Sequence, residues 1–466
     1  MPRLFGTDGV RGLAGRDISA TLALSLAAAA ARELEFETFG TADAGTAAGG
    51  SVAAGGCTVP KHLRAIVGVD SRVSGDMLAD ACAAGLASAG VDVVLAGVMP
   101  TPGLAYLTHS HGYDLGVMIS ASHNPFADNG IKFFAATGYK LPDSVEDLIE
   151  ARLSDSWSPA VGQDVGQIQI DLSLDADYID YLVGTVPCTL EGVKVVLDCA
   201  NGASHRVAPE AFRRLGAEVV ALANQPNGIN INSGVGSTHP ERLQRAVVGL
   251  EADMGFAFDG DADRCLAVDS AGQLVDGDQI MGLLAIGLKG EGRLANDTLV
   301  TTVMSNLGLF KAMEAAGIST AITAVGDRYV LESMLANGHV LGGEQSGHVI
   351  MSEHATTGDG TLTAIQVACR VKLAGVTLAD LASVVQAFPQ VLINVPEVDK
   401  TRAGTDPAVQ AAVAAAESEL GDTGRVLLRP SGTEPLVRVM VEAATAEQAE
   451  SVAQGLVAVV ASELAL

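Results

Sequence analysis

Aromatic side chains are scarce. Phe, Tyr and Trp make up 4% of the 466 residues, with a single Trp. A chain this poor in flat rings cannot build the stacking platforms that hold single-stranded nucleic acid. Positive charge is scarce too. There are 28 Lys and Arg against 55 Asp and Glu, a formal net charge of −27. Such a surface repels nucleic acid, anionic membranes and, at long range, anionic metabolites. An anionic ligand would therefore need the few cations gathered in one place. The six cysteines, at positions 57, 82, 188, 199, 265 and 369, include no C-x-x-C pair. Neither zinc nor a disulfide framework is expected, and a reducing cytoplasm fits. Long apolar runs are also missing. The longest, Leu22 to Ala31, falls well short of the roughly 20 residues a membrane span needs. The chain opens on the polar "GTDGVRG" rather than on a basic leader.

What is present is an alternation. At about 150 residues per domain the length suggests three or four domains. "AIVGVDSR", a helix from Gly75 to Ala89, "VDVVLAGVMPTPG" and "LGVMISASHNP" form one round of strand, helix, strand, strand. "VKVVLDCANGAS", a helix near Ala208 to Leu215, "AEVVAL" and "MGFAFDGDADR" form a second. "TLVTTVMSN", a helix near Leu309 to Ala316, "STAITAVGD" and "HVLGGEQSGH" form a third. Three α/β units of related layout follow. Beyond Gln386 the texture changes to strand, amphipathic helix, two strands around "RPSGTEPLVR" and a last helix from Ala446 to Glu463, a small α+β domain. The expected divisions are 1–168, 169–268, 269–385 and 386–466. Residues 40 to 58 are rich in Gly, Ala, Ser and Thr and are expected to form a mobile surface insertion.

Polar loops close several of these strands. In "ISASHNPFADNGIK", Ile119 to Lys132, Ser122 is either a turn residue beside Asn-Pro or a nucleophile raised at a strand end. "DGDADR" puts Asp259, Asp261 and Asp263 on a tight loop after the strand "MGFAF". Alternate carboxylates there can converge on a hard cation such as Mg²⁺ or Ca²⁺. An EF-hand is excluded, because its sixth and twelfth positions would be Arg264 and Ser270 where Gly and Glu belong. Being polar, this loop is expected to be exposed to the cleft. "GGEQSGH" sets Glu344 and Ser346 two apart with His348 beyond, suited to a sugar's vicinal hydroxyls or to a plain turn. In "RPSGTEPLVR", Arg429, Ser431, Gly432 and Thr433 can wrap a phosphate, with Arg438 on the next strand, or can form an ordinary hairpin.

Together with "FGTDGVRG" and "VGDRYV", and in this order along the whole chain, these stretches resemble the α-D-phosphohexomutase superfamily. The likeness is closest to its bacterial branch acting on glucosamine phosphates. The resemblance implies three related α/β domains and a smaller α+β C-terminal domain around a central cleft. It implies that Ser122 carries a phosphoryl group, and that Ser122 and Asp259, Asp261 and Asp263 hold Mg²⁺. Glu344, Ser346 and His348 would meet the sugar, and Arg429, Ser431, Gly432, Thr433 and Arg438 the non-reacting phosphate. Arg11 and Lys132 would lie beside the transferred group as catalytic residues and candidates for proton transfer. His123, next to the nucleophile, is not assigned as the base. The implied reaction interconverts glucosamine 6-phosphate and glucosamine 1-phosphate in the cytoplasm, with glucosamine or glucose 1,6-bisphosphate as activator. The alternative is a phosphoglucomutase or phosphomannomutase of the same superfamily. A phosphatase and a non-catalytic calcium binder are disfavoured by the second phosphate loop and the EF-hand mismatches. The expected partner is a small-molecule sugar phosphate, with no nucleic acid or membrane, and a homodimer is the oligomeric option left open.

Overall fold

The computed structural model describes residues 3–6, 8–40, 62–431 and 435–466. The Gly/Ala-rich stretch, apart from Gly40 at the end of the helix Ala20–Gly40, lies outside the described residues, as do Gly432 and Thr433. The chain divides into two compact units, Met1–Val303 with Ala321–Ala382 and Met304–Thr320 with Ser383–Leu466.

Three sheets repeat one plan. In the first, Arg64–Val69 lies between Asp92–Val98 and Leu115–Ile119, parallel to both, and Asp128–Ala135 returns antiparallel beside Leu115–Ile119. In the second, Lys194–Asp198 lies between Glu218–Leu222 and Met254–Phe258, and Cys265–Asp269 returns. In the third, Thr298–Thr302 lies between Ser319–Thr323 and Leu341–Gly343, and Val349–Met351 returns. The expected rhythm of strand, helix, strand, strand is incomplete: a second helix, Thr101–Ser110, Glu241–Gly249 or Asp327–Asn337, precedes the third strand of each sheet. Continuous apolar runs became strands buried on both faces, as parallel sheets require. All five residues of Leu115–Ile119, and all five of Met254–Phe258, are buried.

One helix begins earlier than its sequence suggests. The expectation is a helix near Ala208 to Leu215, but the helix runs Ser204–Arg214, straight through Pro209. Its entry is fixed by the amide of Ala203 donating to the carbonyl of Gly260 at 2.8 Å. That anchor lies 57 residues away in the chain and leaves no local signal.

In the smaller unit, Leu436–Glu442 is the central strand of an antiparallel sheet between Gln390–Pro396 and Arg425–Pro430. Val437, Val439 and Val441 alternate inward and are fully buried, the period-two pattern of a strand. Helices Pro407–Leu420 and Ala446–Glu463 contribute to the same core. Asp406 caps the first by accepting from the amides of Ala408 and Val409 at 3.0 and 3.2 Å, and Thr445 caps the second by accepting from Gln448 at 3.2 Å. Each such cap contributes about 1 kcal/mol.

Cys188 and Cys369 are joined as a disulfide, with Cα atoms 6.2 Å apart. This corrects the expectation of no disulfide. The two cysteines are 181 residues apart, so their meeting depends on packing that spacing cannot reveal. Among the described residues no helix is long and apolar enough to cross a membrane.

Candidate active site

The three chemistry-bearing loops of the larger unit occupy one topological position. Each is the turn between the third strand of a sheet and the antiparallel strand that follows. Ser122 lies between Leu115–Ile119 and Asp128–Ala135, the aspartates between Met254–Phe258 and Cys265–Asp269, and Glu344 between Leu341–Gly343 and Val349–Met351. Pairing on both sides of each turn fixes where its tip projects.

Ser122 is 1% exposed and sits at φ +52°, a left-handed conformation that costs a non-glycine residue about 1–2 kcal/mol. Neighbours hold it there. Arg72, ion-paired to Asp70 at 2.9 Å with both side chains fully buried, donates to the carbonyls of Ser122, Asn124 and Asp128 at 2.8, 2.9 and 3.1 Å. Asn232 donates to the carbonyls of Ser122 and Asn124 at 2.9 and 3.1 Å. The amide of Ser122 donates to the hydroxyl of Ser120 at 2.9 Å, which donates to Asp70 at 2.6 Å. Gly260 completes the clamp, since a Cβ there would fall 2.4 Å from the carbonyl oxygen of Ser122. The backbone is held through its carbonyl and amide, and the hydroxyl makes separate contacts. Ser122 Oγ donates to Asp259 Oδ2 at 2.5 Å and lies 3.3 Å from Nδ1 of His123. Burial, with Arg264 and Arg11 nearby, pushes His123 down to about 4, so its imidazole is neutral near pH 7.

Asp259, Asp261 and Asp263 are 1%, 0% and 4% exposed. The expectation of an exposed loop is therefore corrected. The loop is polar, but its backbone is bound into its surroundings: Asp261 O accepts from Thr101 N at 3.0 Å and Ala262 O from Gly360 N at 2.9 Å. One oxygen from each carboxylate lies within 4.8 Å of the others. Asp261 Oδ1 and Asp263 Oδ1 are buried without a hydrogen-bond partner. Burial, then repulsion from Asp263 and Asp261, pushes Asp259 well above the usual carboxylate range, and burial with Asp261 raises Asp263. For Asp261 burial is outweighed by Lys132 and the Thr101 hydroxyl, and it stays ionised. Three buried carboxylates with two open oxygens and no nitrogen or sulfur donor fit a hard divalent cation.

The cations gather beside this trio. Lys132 is 2% exposed, with Nζ 3.0 Å from Asp261 and 2.9 Å from Asp8. Arg11 pairs with the same Asp8. Arg264 donates its amide to Asp259 at 3.2 Å, and its guanidinium lies 3.8 Å from Asp263. Although burial opposes it, Asp261 and Asp8 keep the Lys132 ammonium charged. His348 is 3% exposed, its Nε2 3.9 Å from Asp263 and 4.0 Å from Asp327. Glu344 Oε1 accepts from the amide of Gly326 at 3.1 Å, and Ser346 is exposed.

In the smaller unit, strand register sets Arg429 directly opposite Arg438. Like charges facing across a strand pair are destabilising unless an anion lies between them. Ser431 is 5% exposed, and its carbonyl accepts from Lys400 at 2.6 Å.

Asp8, Thr101, Lys140, Asn232 and Asp327 were missed as functional candidates from sequence. Each reaches the site across a domain or strand boundary, and Lys140 and Asn232 lie outside every quoted stretch.

Comparison with known proteins agrees with this geometry. Family models of the four phosphoglucomutase/phosphomannomutase domains match in order: α/β/α domain I over residues 2–158, domain II over 176–272, domain III over 276–388 and the C-terminal domain over 392–459. The chain is 57% identical to phosphoglucosamine mutases from a Nocardioides species and from Streptomyces griseus, over 466 and 470 residues and the full length of both partners. A solved structure of Aspergillus fumigatus N-acetylphosphoglucosamine mutase in complex with GlcNAc-6P and magnesium superposes with a TM-score of 0.66 at 18% identity, covering 98% of this chain and 95% of that one. By sequence over its whole length, the chain belongs to the phosphoglucosamine mutases of the phosphoglucomutase/phosphomannomutase family.

Proposed function

We propose that this protein interconverts glucosamine 6-phosphate and glucosamine 1-phosphate with Ser122 as the phosphoryl carrier. The observation that carries the reading is the Ser122 hydroxyl, 2.5 Å from Asp259, within a buried aspartate trio that retains two open oxygens. Asp259, Asp261 and Asp263, with the phosphoryl group on Ser122, would hold Mg²⁺. Bound there, the ion would offset negative charge on the phosphoryl oxygens.

The 1-hydroxyl of glucosamine 6-phosphate attacks the phosphorus on Ser122. The new O1–P bond forms as the Ser122 Oγ–P bond breaks, giving the 1,6-bisphosphate, and the hydroxyl's proton passes to a base. After the sugar turns around, Ser122 Oγ attacks the 6-phosphate, and O6 leaves and takes up a proton. Lys132, held charged by Asp261 and Asp8, supplies positive charge to the transferring group, with Arg11 beside it. His123 stays neutral and borders Ser122. Glu344, Ser346 and His348 receive the sugar in both orientations, and Arg429, Ser431, Gly432, Thr433 and Arg438 grip the phosphate that does not react. The 1,6-bisphosphate also serves as activator, because it rephosphorylates a serine that has lost its group. A cytoplasmic location goes with this reading, since phosphorylated sugars are cytoplasmic metabolites. A coupled mutase assay on glucosamine, glucose and mannose 6-phosphates with catalytic bisphosphate tests it. Glucosamine 6-phosphate should be strongly preferred, and preference for a non-amino sugar would overturn the substrate.

A further inference from the structure

Lys140 lies outside every sequence motif, yet it carries the ion pairs that join the site's two halves. Its ammonium is 2.5 Å from Asp8 Oδ1 and 2.6 Å from Asp327 Oδ2, and its side chain is 21% exposed. Asp8 is the carboxylate that also receives Arg11 and Lys132, and Lys132 continues to Asp261 of the metal loop. On the other side, Asp327 opens the helix Asp327–Asn337, and the residue before it, Gly326, donates its amide to Glu344. One ionic chain therefore runs Asp261, Lys132, Asp8, Lys140, Asp327 and ends one peptide from the sugar-loop carboxylate.

We propose that Lys140 is a positioning residue. By holding Asp8 and Asp327 together it fixes Lys132 and Arg11 relative to the loop that carries Glu344. The inference rests on the mutase reading above. Three cations compete for the two oxygens of Asp8. With Lys140 removed, that carboxylate is free to rotate toward Arg11 and Lys132, and both move. Asp327, 4.0 Å from His348, loses its counter-charge at the same time. Displacements of a fraction of an ångström near a reacting group lower rate far more than ground-state affinity.

The test compares Lys140→Met, Lys140→Arg, Asp327→Asn and the Lys140→Met/Asp327→Asn double variant in steady-state turnover of glucosamine 6-phosphate, with thermal melts alongside. The wild-type rate in the same assay tests the mutase reading separately. Lys140→Met, which keeps the aliphatic stem, should lower kcat by about 10- to 100-fold while KM stays within about threefold. Lys140→Arg should recover most of the loss. The double variant should be no worse than Lys140→Met, because both changes break one chain. A purely structural lysine would instead lower the melting temperature, with independent losses that multiply. Should Lys140→Met fail to fold, Asp327→Asn must show the same split between kcat and KM. An unchanged kcat, a KM that accounts for the whole loss, no recovery by arginine, or multiplying losses in the double variant overturns the proposal.

Discussion

The Ser122 hydroxyl donates to Asp259 at 2.5 Å although the two residues are 137 apart in the chain. The Ser122 turn of one sheet is thereby held against the carboxylate cluster of the next. Phosphorylating Ser122 would add about −1.5 to −2 charges beside three aspartates that are already crowded. The phosphoenzyme should therefore depend on a divalent cation for stability as well as for turnover. Phosphopeptide mapping of active enzyme should find the group on Ser122. Added Mg²⁺ should raise the melting temperature of the phosphorylated form more than that of the Ser122→Ala variant. Full activity in protein that never carries phosphate at Ser122 would sink this reading.

Asp261 and Asp263 should respond differently to amidation. Asp261 Oδ2 receives Lys132 at 3.0 Å and Thr101 at 2.7 Å. Asp261→Asn should therefore cost roughly 1–3 kcal/mol of stability in addition to weakening Mg²⁺ binding. For Asp263→Asn the main loss should be metal affinity, since Asp263 Oδ1 has no hydrogen-bond partner. Denaturant unfolding and Mg²⁺ titration of the two variants separate these effects. Equal stability losses would show that the Lys132 contact is not what distinguishes them. EDTA should abolish turnover and Mg²⁺ restore it.

The facing pair Arg429 and Arg438 leads to a prediction about leakage. If the loop grips whichever phosphate is not reacting, Arg429→Ala should slow both half-reactions and raise the release of 1,6-bisphosphate per turnover. Mass spectrometry of the medium during turnover measures it. Unchanged release with only one direction slowed would contradict a shared clamp.

Asp359 gives a pH dependence with a definite sign. It is fully buried, caps the helix Gly360–Ala374 through the amide of Leu362 at 2.9 Å, and accepts from Tyr178 at 2.6 Å. Burial lifts its pKa to about 6, against an unfolded value of about 3.9. The folded state binds the proton more tightly, so this contribution is fully present below about pH 4 and is lost as pH rises through about 6. Asp359→Asn keeps a good capping residue but cannot titrate. The stability of wild type relative to this variant should therefore fall from pH 4 to pH 8, by at most roughly 3 kcal/mol. Melting curves across that range check it, and a wild type that gains on the variant as pH rises would reverse the assignment.

What could be read from the sequence is what lies close together in it. The repeated strand order, the Ser122 turn, the alternating aspartates and the arginine-bearing hairpin are local patterns, and all are found as elements of the structure. What stayed hidden depends on contacts between distant segments. Lys140 meets Asp8 across 132 residues and Asp327 across 187, and "GYKL" carries no sign of either. Arg72 follows a strand as an unremarkable basic residue, yet it is the side chain that threads the serine loop. The aspartate loop was read as exposed because its composition is polar. Its burial follows from backbone bonds to Thr101 and Gly360, which composition cannot express.

The contact between Gly260 and the carbonyl of Ser122 also bears on how this protein can diverge. Two neighbouring turns meet there main chain to main chain, with no side chain between them to give way. A single methyl group at residue 260 would push the Ser122 turn away from the aspartate loop, since it would fall 2.4 Å from the Ser122 carbonyl oxygen. Tolerance to substitution near this seam should be graded by ångströms from Gly260 rather than by the chemical severity of the replacement, so that alanine at 260 does more harm than a charge reversal two turns away.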